Sequence, residues 1–186
     1  MLFIISNLSG SGGDSIIEKL SDFFPIERVI TTNTRAMRPT ESEGHPYYFI
    51  SREEFERKIV AGEFFEYARG YNDIYYGVTK NEIDRVKTSG KIGIWKIEYK
   101  GVMTAKKIMP GVIAILITAP LAVLEARIRR RDNPTESVIR ERMAYTEEWL
   151  KHRDIYDYEV VNDDGKLAEA VAEVVGIIKT HSNLDK

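Results

Sequence analysis

Apolar positions along the chain follow two rhythms. Leu2-Phe3-Ile4-Ile5, Ile92 to Ile97 and Val112-Ile113-Ala114-Ile115-Leu116-Ile117 are short, nearly unbroken apolar runs. Such runs predict strands covered on both faces, as in a parallel sheet. Elsewhere the apolar residues recur every three or four positions: Ile16, Ile17, Leu20; Phe55, Ile59, Val60; Leu121, Leu124, Ile128; Val138, Ile139, Met143, Leu150. That spacing predicts helices with one buried stripe. Arg28 to Thr32, Tyr47 to Ile50 and Tyr158 to Asn162 read as further strands. Phe64 to Ala68 and Tyr75 to Val78 read as a pair around a turn at Gly70-Tyr71-Asn72-Asp73.

Helix boundaries are marked as well. Ser51 precedes a helix that carries Glu54 three residues on and runs toward Gly62. Asn81 to Ser89 closes at Gly90, Val102 to Met109 follows, and Leu167 to Ile178 ends the pattern, with a fraying tail from Ser182. Asn133-Pro134-Thr135-Glu136 restarts the helix that begins at Leu121, with asparagine as the cap. Strands and helices alternate, so an α/β fold with a mostly parallel sheet follows. Residues 31 to 80 break the rhythm as a small, aromatic, strand-rich lobe.

Composition narrows the setting. The 186 residues fit one domain, and 43% hydrophobic content suffices for a real core. A net charge of −2 provides no global field for nucleic acid, and the absence of cysteine excludes disulfides and thiolate metal sites. The first apolar run is too short for a signal peptide or a membrane span. A cytoplasmic protein with no membrane partner is expected, as a monomer or a homodimer. His45, His152 and His181 match no catalytic or metal spacing.

Candidate chemistry begins after the first strand. Asn7-Leu8-Ser9-Gly10-Ser11-Gly12-Gly13-Asp14-Ser15 is a glycine-rich turn between a strand and a helix, the layout of a phosphate-binding loop. Glycines let successive N–H groups point inward, and the helix adds its positive end. The full motif ends Gly-Lys-Ser/Thr, whereas here Gly13 and Asp14 stand in the last two places and Asn7 replaces the first glycine. By itself the stretch is equally a glycine-rich turn of any α/β protein.

The lobe is more specific. Arg35 and Arg38 lie on one loop, Tyr47 follows, and Glu66 and Tyr76 come from the paired strands. Two guanidinium forks and two phenolic hydroxyls suit a phosphate. An ionised glutamate repels that phosphate and suits the N–H groups of a base edge; guanine offers two adjacent ones. The alternatives are structural: tyrosines on a half-buried sheet, Glu66 paired with Arg69, and Arg127 to Arg131 as a solvated helix face.

In these pieces the chain resembles the guanylate kinase family over nearly its whole length. The matching segments are Thr32 to Arg38, Gly44-x-x-Tyr47-x-Phe49, Glu63-Phe64-x-Glu66-Tyr67-Ala68, Tyr75-Tyr76-Gly77, the arginine-rich segment to Arg142, and Val161-Asn162-Asp163. The resemblance implies a core parallel sheet of the P-loop kinase type flanked by helices, an inserted nucleoside-monophosphate lobe and a helical lid. The corresponding parts are a core of 1–31, 81–126 and 143–186, a lobe of 32–80 and a lid of 127–142. It implies that Arg35, Arg38, Tyr47 and Tyr76 hold the GMP phosphate, that Thr31 and Glu66 read guanine, and that Glu98 belongs to the same acceptor site. Arg131 and Arg142 reach the transferring phosphates, Ser9 to Ser15 (with Gly10, Ser11, Gly12, Gly13 and Asp14 between) cradle ATP, and Asn162 lies near adenine. ATP is the implied donor and Mg²⁺ the implied cofactor.

Four positions depart from the family pattern: Gly13 for lysine, Asp14 for a small or hydroxyl residue, Val78 for serine or threonine, and Lys96 for a carboxylate. A cation is lost at 13 and an anion gained at 14, while 96 changes the opposite way. Parallel strands end on one sheet edge, so 96 is expected near the loop, as a catalytic replacement cation or as a simple partner for Asp14. Asp14 is then a candidate metal ligand. Three functions stay open: a GMP kinase, a non-catalytic GMP-binding or protein-interaction module, and a kinase for another small phosphate ester.

Overall fold

The computed structural model describes residues 1–38, 41–69, 73–132 and 134–182. Five strands lie side by side in the order Ile26–Arg28 (β2), Ile92–Trp95 (β8), Leu2–Asn7 (β1), Ile113–Thr118 (β9) and Tyr158–Val161 (β10), each neighbouring pair parallel. Side chains alternate across each strand, so one run feeds two cores. Phe3, Ile5, Ile115 and Ile117 pack with Ile16 and Leu20 of Gly13–Leu20 (α1) and Val174 and Ile178 of Leu167–Ser182 (α7). Leu2, Ile4, Trp95 and Ala114 face the other way, onto Ile83 and Val86 of Lys80–Thr88 (α3) and Val102 of Tyr99–Ile108 (α4).

A second sheet has the order Ser42–Glu43 (β4), Pro46–Phe49 (β5), Thr31–Asn33 (β3), Tyr75–Thr79 (β7) and Phe64–Arg69 (β6). β3 pairs parallel with β5 and antiparallel with β7, and β6 and β7 form the expected antiparallel pair. Arg52–Val60 (α2) covers it, its cap made by Ser51 accepting from the Glu54 N–H at 3.1 Å, as the spacing predicts. Phe55 stacks between Phe64 and Tyr75, with ring centroids 4.1 and 5.1 Å away. The expected turn at Gly70 to Asp73 falls partly on 70–72, outside the described residues.

Several expectations need correction. Arg28 to Thr32 is not one strand: β2 ends at Arg28 in the first sheet and β3 starts at Thr31 in the second. Between them the Ile30 N–H donates to the Glu82 carboxylate at 2.7 Å instead of to a strand neighbour. β8 stops at Trp95, so Lys96 stands just past the strand end. α4 starts at Tyr99, three residues before the apolar periodicity. The arginine-rich stretch forms Leu121–Asp132 (α5), and the next helix, Glu136–Leu150 (α6), is preceded by Thr135 at the cap position; the expected cap Asn133 lies outside the described residues. α7 runs one turn beyond Ile178, and 183–186 are not described. Among the described residues no helix is long and apolar enough to cross a membrane.

Candidate active site: a glycine loop and an arginine–tyrosine lobe

The glycine turn joins the carboxyl end of β1, the central strand, to α1. Gly10 and Gly12 have φ of 84° and 81°, a backbone that side chains resist. Crowding adds to this: a Cβ on Gly10 would stand 2.9 Å from the Leu124 carbonyl, and one on Gly12 would stand 2.6 Å from Asn162 Nδ2. Ser11 N–H and hydroxyl both donate to the Leu8 carbonyl, at 3.0 and 2.9 Å. Asn162 Nδ2 donates to the Ser11 carbonyl at 2.7 Å. Asn162 is only 4% exposed, so its side chain holds the loop from beneath; that is where the structure puts the residue expected near adenine. Ser9 is half-buried and Ser15 is exposed on the first turn of α1.

Arg127 is the residue that sequence reasoning missed. Expected as part of a lid or a solvated face, it turns toward the loop. Its Nη1 donates to the carbonyls of Gly10 and Asn162 at 3.3 and 3.0 Å, and its Nη2 to Asp163 at 3.0 Å. The only available sequence signal was its place at the start of the arginine run. Arg129, by contrast, is tied to Glu125 and Glu136 on the helix surface.

Asp14 and Lys96 meet at the mouth of the loop. Lys96 Nζ lies 2.6 Å from Asp14 Oδ2, and Arg28 Nη2 lies 3.5 Å from Oδ1. Burial opposes the ionised form of Asp14, but Lys96 and then Arg28 outweigh it and hold the carboxyl below its ordinary range. Among the described residues no group of three or more acidic or histidine side chains forms a metal cluster. Two cations, Lys96 and Arg28, stand on the Asp14 carboxylate in this structure.

In the lobe, Arg35 lies over the rings of Tyr47 and Phe49, 5.3 Å from each centroid. Both its Nη groups are taken by Glu41, at 2.7 and 2.5 Å, and Glu41 also accepts from the Arg38 N–H at 2.9 Å. Those hydrogen bonds from Arg35 hold the Glu41 carboxyl at about 2. The Arg38 side chain itself is exposed. Tyr47 and Tyr76 meet edge-on at 6.5 Å. Burial, then Tyr76, then Asp14 raise the Tyr47 hydroxyl above its ordinary range, so the charge of Asp14 is felt in the lobe. Tyr75 stacks on Phe55 and is structural.

Glu66 is 6% exposed, and no hydrogen bond or ion pair to its carboxyl is found among the described residues. The alternative pairing with Arg69 is absent, because Arg69 bonds to Asp73. Burial alone pushes Glu66 up to about 7. Its Oε1 is 3.4 Å from the point a Cβ on Gly101 would occupy, at the start of α4. Glu98, just before α4, accepts from the Tyr145 hydroxyl at 2.6 Å and so ties α6 to this corner. Thr31 is half-buried at the start of β3, opposite Tyr47. Val78 is wholly buried in the core beside Trp95, which accounts for an apolar residue there. Arg142 is half-buried on α6, and the side chain of Arg131 is outside the described residues.

Comparison with known proteins agrees with this layout. The family model described as guanylate kinase matches residues 1–181. The chain is 38% identical over 167 residues to the guanylate kinase of Idiomarina loihiensis, covering 88% of this chain and 79% of that one. It is 40% identical over 167 residues to that of Haemophilus influenzae, covering 88% and 80%. The crystal structure of guanylate kinase from Anaplasma phagocytophilum superposes with a TM-score of 0.74 at 26% identity, over 97% of this chain and 85% of that one. A family model spanning all but the last few residues and relatives at this level of identity leave one conclusion: the chain belongs to the guanylate kinase family.

Proposed function

We propose that the chain transfers a phosphoryl group from ATP to GMP, giving ADP and GDP. The observation that carries the acceptor assignment is Glu66, a buried carboxylate without a partner among the described residues, in a lobe otherwise rich in cations and hydroxyls. A group in that position is costly unless a ligand satisfies it. Guanine presents N1–H and a 2-amino group side by side, whereas adenine presents an acceptor at N1. Glu66 accepts both guanine donors, with Thr31 and Glu98 beside the base. Arg35, Arg38, Tyr47 and Tyr76 take the phosphate.

On the donor side the N–H groups of Ser9 to Ser15 and the positive end of α1 surround the ATP phosphates, over the floor made by Asn162 and Arg127. An oxygen of the GMP phosphate attacks the γ-phosphorus, and the bond from that phosphorus to the bridging oxygen of ADP breaks, ADP keeping the electron pair. Arg131 and Arg142 approach the transferring group from the lid segment 127–142. Bound magnesium would supply positive charge that neutralises part of the donor's phosphate charge. Closure of the lobe 32–80 over the core then excludes water; small-angle scattering should show a smaller radius of gyration with GMP and an ATP analogue.

The deciding experiment is ATP consumption in a coupled assay with GMP, dGMP, AMP, UMP and CMP in turn. Turnover with the two guanine nucleotides alone is expected. Equal turnover with AMP would overturn the acceptor assignment. The salt bridge between Asp14 and Lys96 at the loop favours one second reading, a module that binds GMP without catalysis. GMP binding in calorimetry, with no ATP consumed by any pair, would establish that reading in its place.

A further inference from the structure

The donor loop has lost the lysine of its motif, yet the structure holds an ammonium at the loop. We propose that Lys96 is the cation that meets the donor phosphates, delivered from the end of β8, with Asp14 keeping it in place until a phosphate displaces the carboxylate. The proposal rests on the reading of the loop as the ATP site.

Three observations support it. First, the loop has no room for a side chain at position 13. A Cβ there would lie 2.4, 2.5 and 2.7 Å from Cγ, Cβ and Oδ1 of Asn7. One of those atoms is Asn7 Cβ, fixed to the backbone, so a rotamer change does not clear the clash. Asn7 in turn is anchored by Nδ2 donating to the Leu8 carbonyl at 3.2 Å. The loss of the lysine is therefore built into the loop rather than being an open vacancy.

Second, Lys96 stands where a replacement must. β1 and β8 are adjacent parallel strands with Ile4 level with Trp95, so both chains leave the sheet at the same edge. Lys96 is the first residue past β8, and its four-carbon stem reaches the first turn of α1. Third, the partner it has found is an anion in the position a phosphate needs. Asp14 is exposed in that first turn, 68% by side chain, and close enough to the lobe to act on Tyr47. A carboxylate left there unneutralised would repel ATP. Paired with Lys96 it is a placeholder that an incoming phosphate, with more charge and more acceptor oxygens, replaces. An exposed pair of this kind contributes little to folding, so a phosphate can displace the carboxylate at little cost to the fold.

The test is calorimetric titration of ADP into wild type, Lys96→Met, Asp14→Asn and the double variant, with GMP titrated in parallel and thermal melts as the fold control. Lys96→Met should weaken ADP binding by about ten- to a hundredfold, the scale of one charge-assisted hydrogen bond, and weaken GMP binding far less. Asp14→Asn should tighten ADP binding by freeing the ammonium, and that gain should vanish in the double variant. Lys96→Arg should retain most of the affinity and serves in place of the methionine variant should that one not fold. Equal ADP affinity in wild type and a folded Lys96→Met, or no ADP binding by wild type, overturns the proposal. Failure of the kinase reading looks different: ADP binding that depends on Lys96, with no turnover of GMP.

Discussion

The side chain of Asn7 fills the space beside Gly13, its Cγ 2.4 Å from where a Cβ on that glycine would be. Positions 7 and 13 are therefore one steric unit. Gly13→Ala should destabilise the protein by about 1–3 kcal/mol, the cost of overpacking. In the Asn7→Gly background the same change should cost much less. A thermal double-mutant cycle measures the coupling, and additive losses at the two positions would contradict the contact.

The proposed contact of Glu66 with guanine predicts that GMP affinity depends on pH. Only the ionised carboxylate accepts both guanine donors, and burial holds the group at about 7. Affinity should therefore rise from pH 6 to pH 8 in calorimetry. Glu66→Ala should remove about 1.5–3 kcal/mol of GMP binding at pH 8. Stability runs the other way. A carboxyl raised from 4.5 to about 7 by folding stabilises fully below 4.5 and loses that contribution as pH climbs through 7. Glu66→Gln should thus raise the melting temperature relative to wild type more at pH 8 than at pH 5.

Arg127 ties the donor loop to the segment after β10 through three carbonyls. Arg127→Ala should cost about 1.5–3 kcal/mol in stability, the range for hydrogen bonds to a charged group. KM for ATP should rise while the Kd for GMP holds. A parallel rise in both would mean general unfolding rather than a loosened loop.

Glu41 occupies both Nη groups of Arg35 and the N–H of Arg38. It sets the arginine fork over the Tyr47 ring, so Glu41→Gln should weaken GMP binding by about tenfold through misplacement of that fork. Because the carboxyl is held at about 2, this clamp persists down to acid pH and opens only as pH falls toward 2. Stronger GMP binding in the variant would show that Glu41 competes with the phosphate.

Much of this was legible before the coordinates. The α/β alternation, the helix cap at Ser51 and the Phe64–Ala68 and Tyr75–Val78 pairing each follow from local pattern. So did the neighbourhood of Asp14 and Lys96, because parallel strands share an edge. The misses are long-range. Nothing near Arg28 to Thr32 says that Glu82, fifty-two positions beyond Ile30, intercepts the backbone and splits one strand between two sheets. Nothing near Arg127 distinguishes it from Arg129, since the carbonyls it reaches belong to the loop and to the end of β10. The packing of Asn7 against Gly13 depends on the curl of the turn, which the glycines permit but do not specify.

That split strand has a mechanical side. The chain enters the second sheet through Ile30 and leaves it through Thr79, and Glu82 touches both: its carboxylate accepts from Ile30 at 2.7 Å, and its own N–H donates to Thr79 Oγ1 at 3.2 Å. Arg85 braces the same carboxylate at 2.9 and 2.8 Å and reaches the Arg28 carbonyl at 2.8 Å. Both crossings between the sheets are thus riveted to one buried glutamate on α3. A swing of one sheet against the other would pivot there, with the rivet as axle and the glycine loop and the lobe that carries Arg35 and Arg38 as the two jaws.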